Sequence, residues 1–287
     1  MSVVLITGCS TGIGRATAER LARRGHRVYA TARRLDAVAD LKDLGCEILE
    51  LDVTEDDSMV AAVQTIEAAE GAVGALVNNA GYSQGGAVES VPMEAIRRQF
   101  ETNVFGLVRL TQLCLPGMRA EGAGRVVNVS SMGGRLTFPG GGAYHASKHA
   151  VEAFSDALRW EVAGFGIRVS IVEPGIVLTD FPQAHGAAVT GATGGASTGG
   201  AAGAAPYAAF NEAVRQRVDD AYAGVLGRMA TSPGRVAQVI ERAITARHPA
   251  TRYRVGLDAR SVIVLRRLMP DRVFDRFVRL GGYRRPS

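Results

Sequence analysis

A tyrosine and a lysine, Tyr144 and Lys148, have the residue types and the spacing for proton transfer. Positions i and i+4 project from one face of a helix, and a helix is predicted over residues 143–163. A free tyrosine, with a pKa of about 10, is a poor acid or base at neutral pH, whereas a neighbouring ammonium favours the phenolate. The chain has two lysines, Lys42 and Lys148, against 31 arginines, so the choice of a compact ammonium here is informative. The pair therefore predicts general acid–base chemistry at Tyr144.

A glycine-rich turn lies near the start of the chain, between a predicted strand, residues 3–7, and a helix predicted over 13–24. Its sequence is Thr7-Gly8-Cys9-Ser10-Thr11-Gly12-Ile13-Gly14. Glycines in such a turn let the backbone approach a pyrophosphate, whose charge is stabilised at the helix N-terminus. Because strand, turn and helix occur in the required order, the segment predicts binding of a dinucleotide and not a bare structural turn.

Apolar runs rich in β-branched residues alternate with helical patterns along the chain. Strands are predicted at residues 3–7, 27–31, 47–51, 75–77, 125–129, 168–172 and 252–255. Helices are predicted at residues 13–24, 35–44, 55–69, 93–115, 143–163, 206–226 and 233–246. Near-continuous apolar strands that alternate with helices indicate a parallel sheet covered on both faces. We expect a Rossmann-like α/β fold, a doubly wound parallel sheet of about seven strands, in one domain over residues 1–250.

Two segments differ in composition from the rest. Residues 184–205 contain no formal charge and consist of small residues and one His, which predicts a flexible loop. Its place after the sixth strand favours a substrate lid, with a plain linker as the alternative. Residues 251–287 form a basic extension with ten Arg and three acidic residues, and 262–280 predict a basic amphipathic helix broken at Pro270. This extension covers the substrate or packs in an oligomer, contacts an anionic membrane surface, or is a solvated tail.

Composition argues against several other classes of protein. No run of about 18 apolar residues occurs, and the N-terminus is predicted to be a strand and not a signal peptide. The cysteines Cys9, Cys46 and Cys114 are odd in number and widely spaced, so neither a disulfide framework nor a metal site is expected, and each is interpreted as a buried filler. A reduced, cytoplasmic compartment is expected. Despite a net charge of +5, no nucleic-acid-binding module is visible.

Several motifs together resemble the short-chain dehydrogenase/reductase family. They are the T-G-x-x-x-G-x-G spacing from Thr7, Asn78-Asn79-Ala80-Gly81, Tyr144-x-x-x-Lys148, and Pro174-Gly175 followed by Thr179. The motifs occur in the family's order over roughly the first 180 residues. The resemblance implies an NAD(P)-binding Rossmann-like domain, an oxidoreductase acting on an alcohol or ketone, and a homo-oligomer, either a dimer or a tetramer.

The resemblance also assigns roles at the catalytic end. Ser131, thirteen residues before Tyr144, matches the serine that polarises the substrate oxygen. Tyr144 exchanges the proton, and Lys148 holds the nicotinamide ribose and lowers the tyrosine's pKa. Asn103 matches the asparagine that binds a water in the proton relay; a helix-bend residue bonded to its own backbone is the other interpretation. His145 is interpreted as a pocket-edge or surface residue, and Glu173 as structural.

At the cofactor end the resemblance assigns further contacts. Asp52 and Val53 match an adenine-contacting pair, and Asn79, Ala80 and Gly81 support the adenine side. The nicotinamide end is assigned to Pro174, Gly175, Ile176 and Thr179.

The second strand ends without an acid until Asp36 and carries Arg33 where family members that prefer NADP have a basic residue. A ribose 2′-hydroxyl calls for an acid, whereas a 2′-phosphate calls for a cation. NADP(H) is therefore expected over NAD(H), with Arg15 as a second contact; surface arginines without such a role are the alternative.

Substrate and branch are less sharply indicated. Thr7-Gly8-Cys9-Ser10 and the strand before Arg33 resemble the steroid and retinol dehydrogenase branch, which implies a bulky apolar alcohol or ketone of the steroid, retinoid or polyketide kind. Two alternatives are a carbonyl reductase of small ketones and a non-catalytic redox sensor that binds NADP(H). A nucleotide-sugar epimerase or dehydratase of the extended branch uses a different glycine spacing and a larger substrate domain.

Overall fold

A computed structural model describes residues 2–179, 205–224 and 230–280. The strands are β1 (Val3–Ile6), β2 (Arg27–Ala32), β3 (Glu47–Glu50), β4 (Ala75–Asn78), β5 (Gly124–Val129), β6 (Ile167–Pro174) and β7 (Arg252–Val255). The α-helices are α1 (Gly12–Arg23), α2 (Asp56–Glu70), α3 (Met93–Phe100), α4 (Gly106–Ala120), α5 (Gly142–Glu161), α6 (Ala208–Ala223), α7 (Pro233–Thr245), α8 (Leu257–Leu268) and α9 (Asp271–Leu280).

The seven strands form one parallel sheet in the order β3-β2-β1-β4-β5-β6-β7. This confirms the predicted Rossmann-like fold and its doubly wound parallel sheet. The strand order reverses between β1 and β4, and a ligand-binding crevice is expected outside the carboxyl ends of the strands at such a point. The glycine-rich turn follows β1 and the Asn78-Asn79-Ala80-Gly81 motif follows β4, so both motifs lie at this crevice.

Alternate side chains of the sheet enter two separate cores, as the two-residue period of a strand requires. In β1, Val4 and Ile6 belong to the core under α1 and α7, whereas Leu5 belongs to the core under α2 and α4. Leu21 and Ile240 from the first pair of helices are completely buried. Burying one such side chain contributes ~1.5–3 kcal/mol. Both layers therefore hold the strand ends, and the loops that follow them, in fixed positions.

The helix predicted over residues 93–115 is interrupted. A π-helical segment, Glu101–Phe105, separates α3 from α4. Single π-turns often occur at functional sites, and this one contains Asn103. The helix predicted over 35–44 consists of 3₁₀ turns and ends at Gly45, whose φ is +84°.

The basic extension begins with the edge strand β7. Its first helix starts at Leu257, five residues before the predicted start, and the predicted break at Pro270 is confirmed, since α8 ends at Leu268 and α9 begins at Asp271. A third core packs both helices against the turn after β5; it comprises Leu136, Ala259, Ile263 and Phe274. The predicted flexible loop, 184–205, lies outside the described residues except for Ala205, as do residues 281–287.

Candidate active site

The turn after β1 is shaped by close backbone approach. Gly8 and Gly12 have φ values of +72° and +61°, a region that glycine enters without strain. A Cβ atom at Gly14 would lie 2.2 Å from the Gly8 carbonyl oxygen and 2.5 Å from Asn79 Nδ2. The turn thus leaves its backbone uncovered at the N-terminus of α1, where a phosphate is stabilised.

Asn79 and Ala80 hold this turn in place. The Asn79 side-chain amide donates hydrogen bonds to the carbonyl oxygens of Thr7, at 2.9 Å, and Gly8, at 3.1 Å. The Thr7 hydroxyl accepts from the backbone N–H groups of Asn79 and Ala80, both at 3.0 Å. The motif after β4 therefore braces the turn after β1, a structural task beside the expected support of adenine.

Arg33 is exposed at the end of β2, and no ion pair of Arg33 occurs among the described residues. The neighbouring cations are occupied: Arg34 lies 3.5 Å from Asp36, and Arg15 pairs with Asp40 and Glu19. Arg33 is accordingly the freer of the two cations that the sequence proposed for a 2′-phosphate.

Asp52 and Val53 follow β3 at the same edge of the sheet. The Asp52 carboxylate accepts from the backbone N–H of Thr54 at 2.9 Å and from its hydroxyl at 2.8 Å. Val53 is 8% exposed, and its carbonyl oxygen would lie 2.2 Å from a Cβ atom at Gly106. Both residues are fixed locally, and their expected contact with adenine remains a prediction.

The segment after β6 reaches the glycine-rich turn. A Cβ atom at Gly12 would lie 3.1 Å from Thr179 Cγ2, so the two predicted cofactor segments meet. The Ile176 backbone N–H donates to the Asp258 carboxylate at 2.6 Å, and a Cβ atom at Gly175 would lie 2.1 Å from the same carboxylate. Sequence reasoning missed Asp258, which belongs to no motif and sits in the first turn of α8.

The side chains predicted to be catalytic converge at the crevice. A side-chain hydrogen bond joins Tyr144 to Ser131, whose Oγ also accepts from the Gly133 backbone N–H at 3.0 Å. The Lys148 ammonium donates to the Val129 carbonyl oxygen at 2.9 Å and lies 5.9 Å from the centroid of the Tyr144 ring. The serine, tyrosine and lysine selected from the sequence are therefore neighbours in space.

Asn103 lies in the π-helical segment and faces the same crevice. Its amide donates to the Tyr82 carbonyl oxygen at 3.0 Å and to Ser147 Oγ at 3.1 Å, and its Oδ1 accepts from the Tyr82 backbone N–H at 3.1 Å. A Cβ atom at Gly81 would lie 3.0 Å from Asn103 Oδ1 and 3.6 Å from Lys148 Nζ. These bonds reach residues distant in sequence, so Asn103 is more than a bend residue bonded to its own backbone.

Burial dominates the titration of the central pair. It raises the pKa of Tyr144 to about 12, against the lowering effect of the Ser131 hydrogen bond. It lowers the pKa of Lys148 to about 8, against the raising effect of the Glu152 charge. The expected lowering of the tyrosine pKa by the lysine is not found, because burial prevails. At neutral pH Tyr144 is thus protonated and Lys148 is charged.

The structure also bears on His145 and Glu173, which the sequence did not assign to the catalytic set. His145 is 9% exposed, its Nδ1 lies 3.1 Å from the Gly133 carbonyl oxygen, and its ring centroid is 5.6 Å from that of Tyr144. The surface interpretation of His145 is therefore wrong, and the pocket-edge interpretation stays a prediction. Glu173 is fully buried and pairs with Arg254 and Arg252, each at 3.2 Å, as a structural residue would.

The three cysteines are free and buried, as their interpretation as fillers requires. Burial raises the pKa of Cys9 to about 12 and that of Cys46 to about 11. The described residues bring together no group of three or more His, Cys, Asp or Glu side chains that could hold a metal ion. No helix within the described ranges combines the length and the apolar character needed to cross a bilayer.

Comparison with known proteins relates the chain to one family. The family model for short chain dehydrogenases matches residues 2–195. The 17-beta-hydroxysteroid dehydrogenase type 6 of Rattus norvegicus is 36% identical over 282 residues, which cover 95% of this chain and 86% of that protein.

Two solved structures share the fold. A short-chain dehydrogenase from Streptomyces avermitilis has a TM-score of 0.77 at 35% identity and covers 98% of this chain and 96% of its own. The closed form of serine dehydrogenase complexed with NADP+ has a TM-score of 0.73 at 28% identity, with 88% of this chain and 94% of that chain covered. The similarity therefore extends well beyond the motifs.

Proposed function

Because the chain belongs to the short-chain dehydrogenase/reductase family and is an oxidoreductase acting on CH–OH or C=O groups, we propose that it interconverts a bulky apolar alcohol and its ketone with NADP(H). The convergence of Ser131, Tyr144 and Lys148 at the carboxyl end of the sheet carries the proposal. Asn103 completes the set from the π-helical segment.

The described residues fit a dinucleotide. Gly14 leaves a cradle that a single Cβ atom would fill, at the N-terminus of α1, and Arg33 is available beyond β2 for a 2′-phosphate. When bound, the nicotinamide supplies or accepts the hydride. The solved relative in complex with NADP+ supports the same preference.

The side chains divide the remaining work. In the direction of reduction, the Ser131 hydroxyl donates a hydrogen bond to the substrate oxygen, and the protonated Tyr144 gives its proton to that oxygen. The Lys148 ammonium stabilises the tyrosinate that remains. Asn103 holds the water that connects the site to solvent and so returns a proton to Tyr144, the role that the family resemblance assigns to it.

Support for a bulky apolar substrate comes from a relative and from α6. The steroid dehydrogenase relative covers nearly the whole chain. Burial, and secondly the electrostatic interaction with Tyr144, raise the pKa of Tyr222 in α6 to about 12, so this aromatic side chain of α6 lies within electrostatic reach of Tyr144.

The decisive experiment compares wild type with Tyr144→Phe against steroid, retinoid, aromatic and small aliphatic ketones with NADPH and NADH. Loss of the proton donor is expected to lower kcat/KM by roughly 10³-fold while NADPH still binds. Tyr29→Phe is the matched control, since its hydroxyl bonds to Glu70 at 2.8 Å at the other end of the sheet. Tight NADPH binding without turnover of any compound by wild type would support the sensor instead, and turnover confined to small ketones would support the carbonyl reductase.

Cofactor preference has its own test. Arg33→Ala is expected to raise the Kd for NADPH by roughly 10–100-fold, because charge-assisted hydrogen bonds contribute ~1.5–3 kcal/mol. The Kd for NADH should not change. Arg34→Ala, which removes an adjacent arginine paired with Asp36, is the control. Equal effects on both cofactors would reject the role given to Arg33.

Oligomeric state and location remain proposals. Large apolar side chains on α5 and beside α4 are exposed, including Trp160 at 82% and Phe105 at 51%, and such surfaces support packing against a second copy, as is common in the family. Peripheral membrane contact through α8 and α9 is supported by their exposed apolar residues among arginines, such as Leu268 at 76%.

A further inference from the structure

A cluster of buried charges lies behind the catalytic lysine. We define the buried charge cluster as Glu152 of α5, Glu173 of β6, Arg252 and Arg254 of β7, and Arg135 of the turn after β5. Arg252 Nε lies 3.0 Å from Glu152 Oε2 and 3.2 Å from Glu173 Oε1. The two glutamates are 4% and 0% exposed. One arginine from the edge strand thus bridges two carboxylates in the interior.

Glu152 lies one helical turn beyond Lys148 on the same face of α5. Lys148 is itself 6% exposed, so its ammonium has little contact with water. The Glu152 carboxylate offsets the loss of hydration by raising the lysine's pKa. Burial and the Glu173 charge raise the pKa of Glu152, and a hydrogen bond from Ser130 and the charge of Arg252 oppose them. Arg252 therefore favours the charged form of the carboxylate on which the lysine depends.

Packing keeps Glu152 in this place. A Cβ atom at Gly134, in the turn that follows Ser131, would lie 2.9 Å from the Lys148 carbonyl oxygen and 3.0 Å from Glu152 Cγ. The turn that follows Ser131 thus packs directly against the aliphatic part of the Glu152 side chain. The carboxylate has no room on that side to leave Arg252.

We propose that Glu152 is a positioning residue for the reaction, held as a carboxylate by Arg252 of the last strand so that the Lys148 ammonium stays charged beside Tyr144. The proposal deepens the proposed function and rests on it. A buried ion pair is weak evidence for stability alone, since apolar residues of similar volume often replace such pairs without loss. The position of these charges directly behind the ammonium of Lys148 points instead to a role in the reaction.

Other charged groups around the lysine do not substitute for Glu152. They are Tyr144 and Asp156 on α5, Glu173 on β6, Arg135 after β5, and Arg252 and Arg254 on β7. Asp156 contacts Arg252 at 2.6 Å and Glu173 contacts Arg254 at 3.2 Å, so both acids pair with arginines, as Glu152 does. Among these groups, Glu152 is the acid whose charge acts on Lys148.

The two lysines of the chain permit a direct test. Full-length protein with 13Cε-labelled lysine shows two NMR signals that titrate with pH, and exposed Lys42 is an internal reference. Glu152→Gln is expected to lower the Lys148 midpoint by about 1 pH unit, because the nearby carboxylate favours the charged form of the lysine. Lys42 should not move. Glu152→Asp should restore most of the shift, and exposed Glu161→Gln should have no effect.

Kinetics supply the second readout. The alkaline limb of kcat/KM for reduction is expected to move to lower pH in Glu152→Gln together with the NMR midpoint. A Lys148 midpoint that does not change in folded Glu152→Gln would overturn the proposal. If Glu152→Gln does not fold, the milder Arg252→Lys replaces it. We expect Arg252→Lys to lower the Lys148 midpoint by less than Glu152→Gln would, and an unchanged midpoint in Arg252→Lys would also reject the proposal. If wild type turns over no compound, the proposed function fails while the NMR midpoints still decide the role of Glu152.

Discussion

The glycine-rich turn, residues 7–14, and the C-terminal segment, residues 251–280, both shape the site, but by different physical means. The turn works through its own backbone, at positions where any side chain would collide, as Gly14 shows with a gap of 2.2 Å to the Gly8 oxygen. The C-terminal segment works through charged side chains that reach far along the chain. Arg252 contacts Glu152 across 100 residues, and Asp258 contacts Ile176 across 82.

The difference shows what each region tolerates. A backbone cradle depends on the absence of atoms, so it is lost when one methyl group is added. A charge network depends on the sign of each charge and on the length of each side chain. It therefore tolerates a replacement that keeps both, and it is disrupted when deletion of one partner leaves the other charge buried and unpaired. Damage to the turn should therefore appear in cofactor binding, and damage to the C-terminal segment in stability and in the titration of the catalytic pair.

The largest effect is expected from Arg252→Ala, which removes the bridge between two buried carboxylates. Breaking a buried pair by deleting one partner typically costs ~3–5 kcal/mol, and because Arg252 is 21% exposed we expect a loss on the order of 3 kcal/mol in the free energy of unfolding. Urea denaturation at pH 7 measures it. Arg215→Ala is the control, because Arg215 pairs with Glu212 on the surface of α6 and should change the midpoint little. If Arg252→Ala and Arg215→Ala both lowered the free energy of unfolding by a similar small amount, the stabilising role given to the buried charges would be wrong.

The next effect is expected from Gly14→Ala in the turn. The added methyl group must displace the Gly8 carbonyl or the Asn79 amide, both of which shape the cradle. We expect the Kd for NADPH to rise by about 100-fold, equivalent to ~2.7 kcal/mol. Fluorescence titration of NADPH measures the change. Gly164→Ala, where a Cβ atom would meet nothing within 4 Å, should bind NADPH like wild type.

The two regions also differ in how far sequence reasoning reached. The turn, the parallel sheet and the relation of Tyr144 to Lys148 follow from local patterns, and the structure contains all three as expected. Glycine spacing before a helix and an i, i+4 pair are short-range patterns, so one chain suffices to recognise them. The parallel order of the strands follows from their alternation with helices.

The contributions from the C-terminal segment are long-range and leave no such pattern. Nothing in the sequence pairs Arg252 with Glu152, because the eight arginines of that segment are equivalent candidates until the sheet selects one. The contact of Asp258 with Ile176 could not be predicted either, because Asp258 belongs to no recognisable motif. The π-helical segment at Asn103 was missed because a helical pattern of apolar residues does not reveal a single wider turn.

The smallest effect is expected from Asp258→Ala, which tests whether the C-terminal segment also supports the cofactor end. The Ile176 backbone N–H loses its acceptor at 2.6 Å. A partly buried N–H without a partner costs ~1–3 kcal/mol, which lets the segment from Gly175 to Thr179 leave its position more easily. We expect a Kd for NADPH about tenfold higher, close to 1.4 kcal/mol. Asp271→Ala, which removes an exposed acid paired with Arg266 at the start of α9, should leave binding unchanged. If Asp258→Ala lowers the free energy of unfolding but binds NADPH as tightly as wild type, the C-terminal segment stabilises the fold and the catalytic lysine without supporting the cofactor, and the contrast with the glycine-rich turn becomes complete.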